Sequence, residues 1–305
     1  MNKIILFWTN PPKNKTYEEW SKSRLEFSHN HELVFNAHKK LGNQVELWTY
    51  QKTELPYDNI KLMDANEIFS RTKAYESLKS GHVVAILSDA IRMLQAAQER
   101  GTILDMDAVV LKPFPDYESW FATAPAKQTG GFALKWGENN PPFKVNDWDG
   151  KALPAFPIKI GKHNSQEFIN LARSTFDKLL KPAGIFNKDG KTLKTDKTFQ
   201  ILQTAKKIAN KDTNNKIFAP LYMCPFPWWL PAGKCYSLEQ PTRLTGVTSL
   251  FGYKLPSITD IFKNSYVIQH FFESSFKSDI LKTADFFRHL PKECLLAKEY
   301  NFIME

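Results

Sequence analysis

Apolar residues in this chain fall in short runs separated by polar stretches of helical length. Ile4 to Trp8 is a continuous apolar run of strand length, ended by Asn10-Pro11-Pro12. From about Tyr17 to Leu41 the placement of Leu25, Leu33, Val34 and Ala37 predicts a helix, with Gly42-Asn43 as its C-cap and turn. Val45 to Trp48 predicts a second strand. Strand, helix, strand is the opening of a βαβ unit and implies a parallel sheet.

A similar unit follows. Ile86, Leu87, Met93, Leu94 and Ala97 predict a helix from about Val83 to Arg100, ended by Gly101. Thr102-Ile103-Leu104 is a short apolar strand, and Asp105-Met106-Asp107 stands at its carboxyl end, the edge where open α/β sheets gather ligands. Ala108 to Leu111 reads as extended chain, broken by Lys112-Pro113-Phe114-Pro115. Residues 123–161 are rich in Gly, Pro, Asn and Trp and predict loops. Helices are expected over about Ser165 to Leu180 and Asp196 to Ala209, and the prolines of 225–231 forbid regular structure there. Tyr266-Val267-Ile268 predicts a late strand, followed by His270 and an aromatic, Lys-bearing tail. With no repeat, low-complexity tract or clear linker, the expectation is a single α/β domain over residues 1–305, a mostly parallel sheet flanked by helices.

Composition narrows this only a little. The 305 residues suffice for a substantial core, and 42% hydrophobic with 24% charged residues is ordinary globular composition. The net charge of +9 suits an anionic partner without choosing one. There is no zinc-finger spacing and no RNA-binding aromatic signature, so no nucleic acid partner is expected. The three cysteines, Cys224, Cys235 and Cys294, are too few and too odd for a disulfide framework. Ile4 to Trp8 is too short for a signal-peptide core or a membrane span. The expectation is a soluble protein of a reducing compartment, a bacterial cytoplasm.

The candidate chemistry lies in the acids. Two carboxylates at i and i+2 can serve one divalent cation when they sit on a turn after a strand, whereas in a continuing strand they point to opposite faces. Carboxylate oxygens suit Mn²⁺ or Mg²⁺, which bridge the phosphates of a nucleotide and stabilise a leaving diphosphate. The chain has two such pairs. Asp147-Trp148-Asp149 lies in a polar stretch with no apolar strand before it and reads as a solvated turn, so context favours Asp105 and Asp107. On the preceding helix, Asp89 and Arg92 share a face three residues apart; alone they read as an exposed helical ion pair or part of an N-cap.

Together these pieces carry more. Ser88-Asp89-x-x-Arg92, an amphipathic helix, Gly101-Thr102-Ile103-Leu104-Asp105-Met106-Asp107 and then Val110-Leu111-Lys112-Pro113 resemble the sugar-binding D-x-D region of a glycosyltransferase family. That family holds Och1-like mannosyltransferases, α1,4-galactosyl- and N-acetylglucosaminyltransferases, bacterial capsule and lipooligosaccharide transferases, and the glucosylating clostridial toxins. The match covers about residues 83–115. Lys3 to Trp8 and Tyr266 to His270 resemble the family's first and late strands. Arg100 stands where the family has its first Gly, Ile103 where it has Tyr, and Gln269 where it often has His, which leaves the branch and its sugar open.

The resemblance implies a GT-A-type, Rossmann-like fold. The donor and metal half would be about 1–120, and the acceptor-side part about 121–305. Asp107 would bind the cation, Asp105 the ribose or the cation through a water, and His270 would be a further ligand. Asp89 and Arg92 would hold the donor sugar and phosphate, and Trp8 would lie against the base. The implied activity is retaining transfer of a hexose or N-acetylhexosamine from a nucleotide sugar, UDP-linked by preference. The acceptor would be a glycan or lipid-linked glycan, as in capsule or lipooligosaccharide synthesis.

By themselves these residues read otherwise: His270 as a core or surface histidine, Trp8 as core, and Trp228-Trp229 as either an acceptor-stacking pair or a Pro-locked packing cluster. Two other functions stay in view. One is a toxin- or effector-like transferase acting on a protein. The other is a non-enzymatic basic protein of membrane surfaces or nucleic acid, built on Lys clusters at 178–197 and 206–216. The tail places Phe271, Phe272, Phe276 and Phe286 beside Lys277, Lys282 and Arg288. That mix suits either a last core-packing helix or peripheral contact with an anionic membrane.

Overall fold

The computed structural model describes residues 3–27, 29–82, 84–99, 101–125, 152–181, 196–218, 220–223, 258–269 and 301–303. Its contacts group into two compact units. The first comprises Met1–Glu26, Gln44–Leu104 and Lys159–Lys211; the second comprises Phe27–Asn43, Asp105–Ile158 and Asp212–Glu305.

The first unit is built on parallel strands β1 (Lys3–Phe7), β2 (Gln44–Thr49), β3 (Ile60–Asp64) and β4 (Thr102–Ile103), in the order β3-β2-β1-β4. Ile4 pairs with Val45 on one side and Thr102 on the other. Ile4, Ile5, Leu6 and Phe7 are all buried, as expected of a central parallel strand covered on both faces. Helix α4 (Val84–Glu99) packs on β1 and against α5 (Ser165–Leu179). Phe176 of α5 stacks on Phe69, with ring centroids 4.9 Å apart. Helix α6 (Asp196–Lys211) also packs on α5. Both α5 and α6 lie where periodicity expects them. The α/β class with a parallel sheet and flanking helices is therefore observed.

One helix was expected from Tyr17 to Leu41, but the chain forms two, α1 (Tyr17–Lys22) and α2 (His29–Lys40). Helix α1 starts in a capping box, with Thr16 Oγ1 accepting from Glu19 N and the Glu19 carboxylate accepting from Thr16 N. It stops at Ser23, whose backbone is extended. The side chain of Asn10 then holds the non-helical segment: its Nδ2 donates to Arg24 O at 2.8 Å, and its Oδ1 accepts from Glu26 N at 3.3 Å. Groups that a continuing helix would use internally are thus taken by a distant amide. Between β3 and α4, α3 (Arg71–Lys79) is capped by Ser70 Oγ, which accepts from Lys73 N.

In the second unit α2 packs on β5 (Ala108–Val110). Helix α2 ends as Gly42-Asn43 predicts. Gly42 takes φ +64°, its N–H bonds Lys39 O, and Asn43 N–H bonds His38 O, which closes a Schellman motif. Strand β5 pairs antiparallel with β9 (Val267–Gln269), with Val109 opposite Ile268. Strand β6 (Trp120–Pro125) runs parallel to β8 (Lys216–Phe218) and beside β7 (Ala152–Lys159). Helices α7 (Pro220–Met223) and α8 (Ile258–Asn264) complete the described elements. The loops expected over 123–161 are thus corrected at both ends, where the chain is strand. Proline fixes φ near the extended region, so Pro125, Pro154 and Pro157 are compatible with strand backbone and remove only N–H donors. Trp120, Phe218, Phe114 and Tyr266 form the aromatic core of this unit.

Candidate active site

Gly101 leads into β4 where there is no room for a side chain. A Cβ there would stand 2.9 Å from Ile5 Cγ1 and 3.2 Å from Lys3 O. The residue type is therefore dictated by the approach of β4 to β1. After Ile103 the ladder adds one more bond, Leu104 N to Ile5 O at 3.3 Å.

Directly after Leu104 the chain turns. Ala108 N donates to Asp105 O at 3.1 Å, so Asp105-Met106-Asp107-Ala108 is a β-turn. Met106 is buried while Asp105 and Asp107 are both half-buried. The pair thus sits on a turn after a strand, the arrangement in which two carboxylates at i and i+2 can serve one cation. Asp107 leads straight into β5, whose end is held by Leu111 N donating to Tyr266 O at 2.8 Å. Lys112 follows. Its ammonium donates to Lys263 O, and burial lowers its pKa from the ordinary lysine value.

Asp89 and Arg92 depart from the exposed ion pair expected of them alone. Both are 3% exposed. Arg92 Nη2 donates to Asp89 Oδ1 at 2.7 Å, Nη1 donates to Leu104 O, and Nε donates to Ser88 O at 3.4 Å. A buried guanidinium and carboxylate are tolerable when each offsets the other's lost hydration. The signal was present in the sequence: Leu87, Ala90, Ile91 and Met93 surround the pair, which makes this part of the helix apolar on nearly every face. The Leu104 carbonyl, by contrast, could not be picked out by residue type.

Trp8 is half-buried just past β1. Its backbone N donates to Trp48 O at 3.0 Å, and its indole N donates to Glu26 O at 3.0 Å. The nearby Asn10 carbonyl accepts the indole N–H of the buried Trp20 at 2.6 Å. The ring edge of Trp8 is therefore fixed by the segment after α1.

His270 follows β9 in the chain and lies outside the described residues. So do Asp147, Asp149, Trp228, Trp229, the three cysteines and residues 271–300. Among the described residues no three His, Cys, Asp or Glu side chains gather as a metal cluster. No described helix is long and apolar enough to cross a membrane.

The described residues define an α/β protein with an acidic turn at the carboxyl end of a parallel strand. No family model and no curated protein sequence matches this chain. A solved structure described as "PaToxG Glycosyltransferase" is similar over 68% of this chain and 69% of its own, at 15% identity and a TM-score of 0.36.

Proposed function

We propose that this chain is a metal-dependent glycosyltransferase of GT-A type. It would move a hexose or N-acetylhexosamine from a nucleotide sugar, UDP-linked by preference, to a carbohydrate acceptor, with retention of configuration. The observation that carries this reading is the Asp105–Ala108 turn. It places two half-buried carboxylates after a parallel strand, within a sequence that resembles a D-x-D donor site.

In such a transfer the bond between the anomeric carbon and the diphosphate oxygen breaks, and a bond to an acceptor hydroxyl oxygen forms. Negative charge grows on the departing diphosphate. A bound Mn²⁺ or Mg²⁺ supplies Lewis-acid stabilisation of that charge. Asp107 would hold the cation directly and Asp105 the ribose or a water on the cation; both offer the hard oxygen donors such ions take. His270 is the further ligand in this proposal. Asp89 and Arg92 serve the donor sugar and phosphate, and their mutual bond and burial suit a rigid group that needs no reorganisation during reaction. Trp8, its edge anchored on Glu26 O, offers a ring face to the base.

The acceptor is proposed to be a glycan or lipid-linked glycan of bacterial capsule or lipooligosaccharide synthesis. The enzyme would be cytoplasmic and peripheral on the inner membrane face. Co-sedimentation with anionic liposomes at low salt, lost at high salt, tests the peripheral association.

The deciding experiment for the activity incubates the full chain with a panel of nucleotide sugars, with Mn²⁺ or with excess chelator. The expected result is slow release of the nucleotide diphosphate from one donor, only with metal, together with a rise in melting temperature on donor binding. A folded protein that neither binds nor hydrolyses any nucleotide sugar with Mn²⁺ overturns the reading.

A further inference from the structure

The first unit carries a cavity of about 620 Å³ at the carboxyl ends of β2 and β3, away from β4 in strand order. That edge is where open parallel sheets place ligands. Its buried floor includes Tyr50 and Gln51; the Tyr50 hydroxyl is already used, donating to Phe69 O at 2.8 Å. Arg24, Lys52 and Arg71 also line it. Arg24 and Lys52 come from separate segments that meet through Leu25 N donating to Lys52 O at 3.4 Å.

Two carboxylates, Glu54 and Asp64, face these three cations. Asp64 Oδ1 is engaged by Asn66 N at 2.9 Å, and Arg71 Nη2 reaches the same oxygen only at 3.4 Å. Two lining residues keep buried polar atoms that find no partner among the described residues, Arg71 Nε and Gln51 Nε2. Both atoms are donors. The Gln51 amide cannot exchange its ends cheaply, because its Oε1 accepts from Thr9 Oγ1 at 2.8 Å and from Asn10 N at 3.3 Å. Buried donors without partners are costly, and here they coincide with an excess of positive charge. The lining therefore carries more cations than carboxylates, and two of its buried donors lack acceptors among the described residues.

We propose that this cavity binds the oxyanion of a small soluble ligand, a phosphate or carboxylate group. Arg24, Lys52 and Arg71 would supply the charge and the Gln51 amide a neutral donor. A guanidinium presents a planar fork of N–H groups that matches either oxyanion, and the 28% exposure of the Arg71 side chain reduces competition from water. The site does not depend on sugar transfer, so its test uses no nucleotide sugar.

Thermal unfolding of the full chain is followed against sodium phosphate, sodium acetate and sodium chloride at matched ionic strength, which removes general screening. Phosphate, acetate or both should raise the melting temperature above chloride, increasingly with concentration. A response to phosphate alone identifies a phosphate-bearing ligand, and a response to acetate alone a carboxylate-bearing one. Arg71→Ala and Arg24→Ala should each shift the half-saturating concentration upward about tenfold, the size of one charge-assisted hydrogen bond. Arg24 is an exposed rim residue, so its variant carries the test if Arg71→Ala fails to fold. No response beyond chloride in the wild type, or a response unchanged in Arg24→Ala, overturns the proposal.

Discussion

Arg92 binds the main-chain carbonyl of Leu104, the residue immediately before Asp105, while its other Nη atom holds Asp89 at 2.7 Å. One buried side chain thus ties the interior of α4 to the end of β4. Asp89, one turn away, and the carbonyl dipole both offset its charge.

That arrangement sets the first prediction. Asp89→Asn preserves shape but takes the Asp89 carboxylate away from the buried Arg92 guanidinium. It should cost about 3–5 kcal/mol, the range found when one member of a buried pair is removed. Replacing both, Asp89→Leu with Arg92→Met, should recover part of that loss, although Leu104 O then loses its donor. Urea unfolding of the two variants decides. An Asp89→Asn protein as stable as wild type would show that the pair is more hydrated than its 3% exposure indicates.

The parts of the fold that were legible share a cause: their signals are local. Helix α4, Gly101, β4 and the following acids can be read from apolar period, a glycine stop and a short β-branched run. The break after Lys22 could not, because the apolar spacing runs on while a side chain more than ten residues earlier in the chain, Asn10, holds the extended segment. Strand β7 was hidden by its prolines, which usually mark loops yet have an extended-compatible φ. The pairing of β5 with β9 joins segments far apart in the chain, so each strand was visible but not its partner. At the candidate site the acids and the Asp89–Arg92 pair were legible by type and spacing. The burial of the pair was not, since charged residues default to solvent. The Arg71–Gln51 cavity was invisible because its residues come from four separated segments that form no motif.

Gly101→Ala is expected to destabilise the protein by about 1–3 kcal/mol through overpacking. The new methyl would press on Ile5, itself fully buried, and on the Lys3 carbonyl, which is backbone and cannot swing away. Chemical denaturation measures this. A loss below about 0.5 kcal/mol, the usual scale of neutral surface changes, means that β4 can move off β1 at little cost.

His38 gives the fold a pH dependence. It is fully buried on α2, and burial lowers its pKa from 6.5 to about 3. Asn43 Nδ2 donates to its Nδ1 at 3.2 Å, which leaves the proton of the neutral ring on Nε2. Below pH 6.5 the unfolded chain gains a proton that the folded chain refuses, so this contribution to stability is lost as pH falls from 6.5 toward about 3. Between pH 7.5 and 5.5 the loss should be roughly 1.4 kcal/mol. His38→Gln removes the titrating group, so its unfolding free energy should fall less over the same interval. Equal slopes for the two proteins would mean that His38 protonates without opening the structure.

The last prediction separates the two acidic pairs. Asp107 follows an apolar strand and lies on a hydrogen-bonded turn, whereas Asp149 lies in a polar stretch outside the described residues. If the proposed transferase reading holds, Asp107→Ala should remove Mn²⁺-dependent donor hydrolysis by at least about a hundredfold, the scale of losing a group that stabilises the transition state electrostatically. It should also abolish metal-dependent thermal stabilisation by the donor, while the apo protein keeps its melting temperature, since a half-exposed carboxylate on a turn contributes little to the core. Asp149→Ala should leave both readouts at wild-type values. Loss of hydrolysis in a folded Asp149→Ala protein, with Asp107→Ala still active, would move the donor site to residues 147–149. It would also leave the acidic turn after β4 with no part in the chemistry.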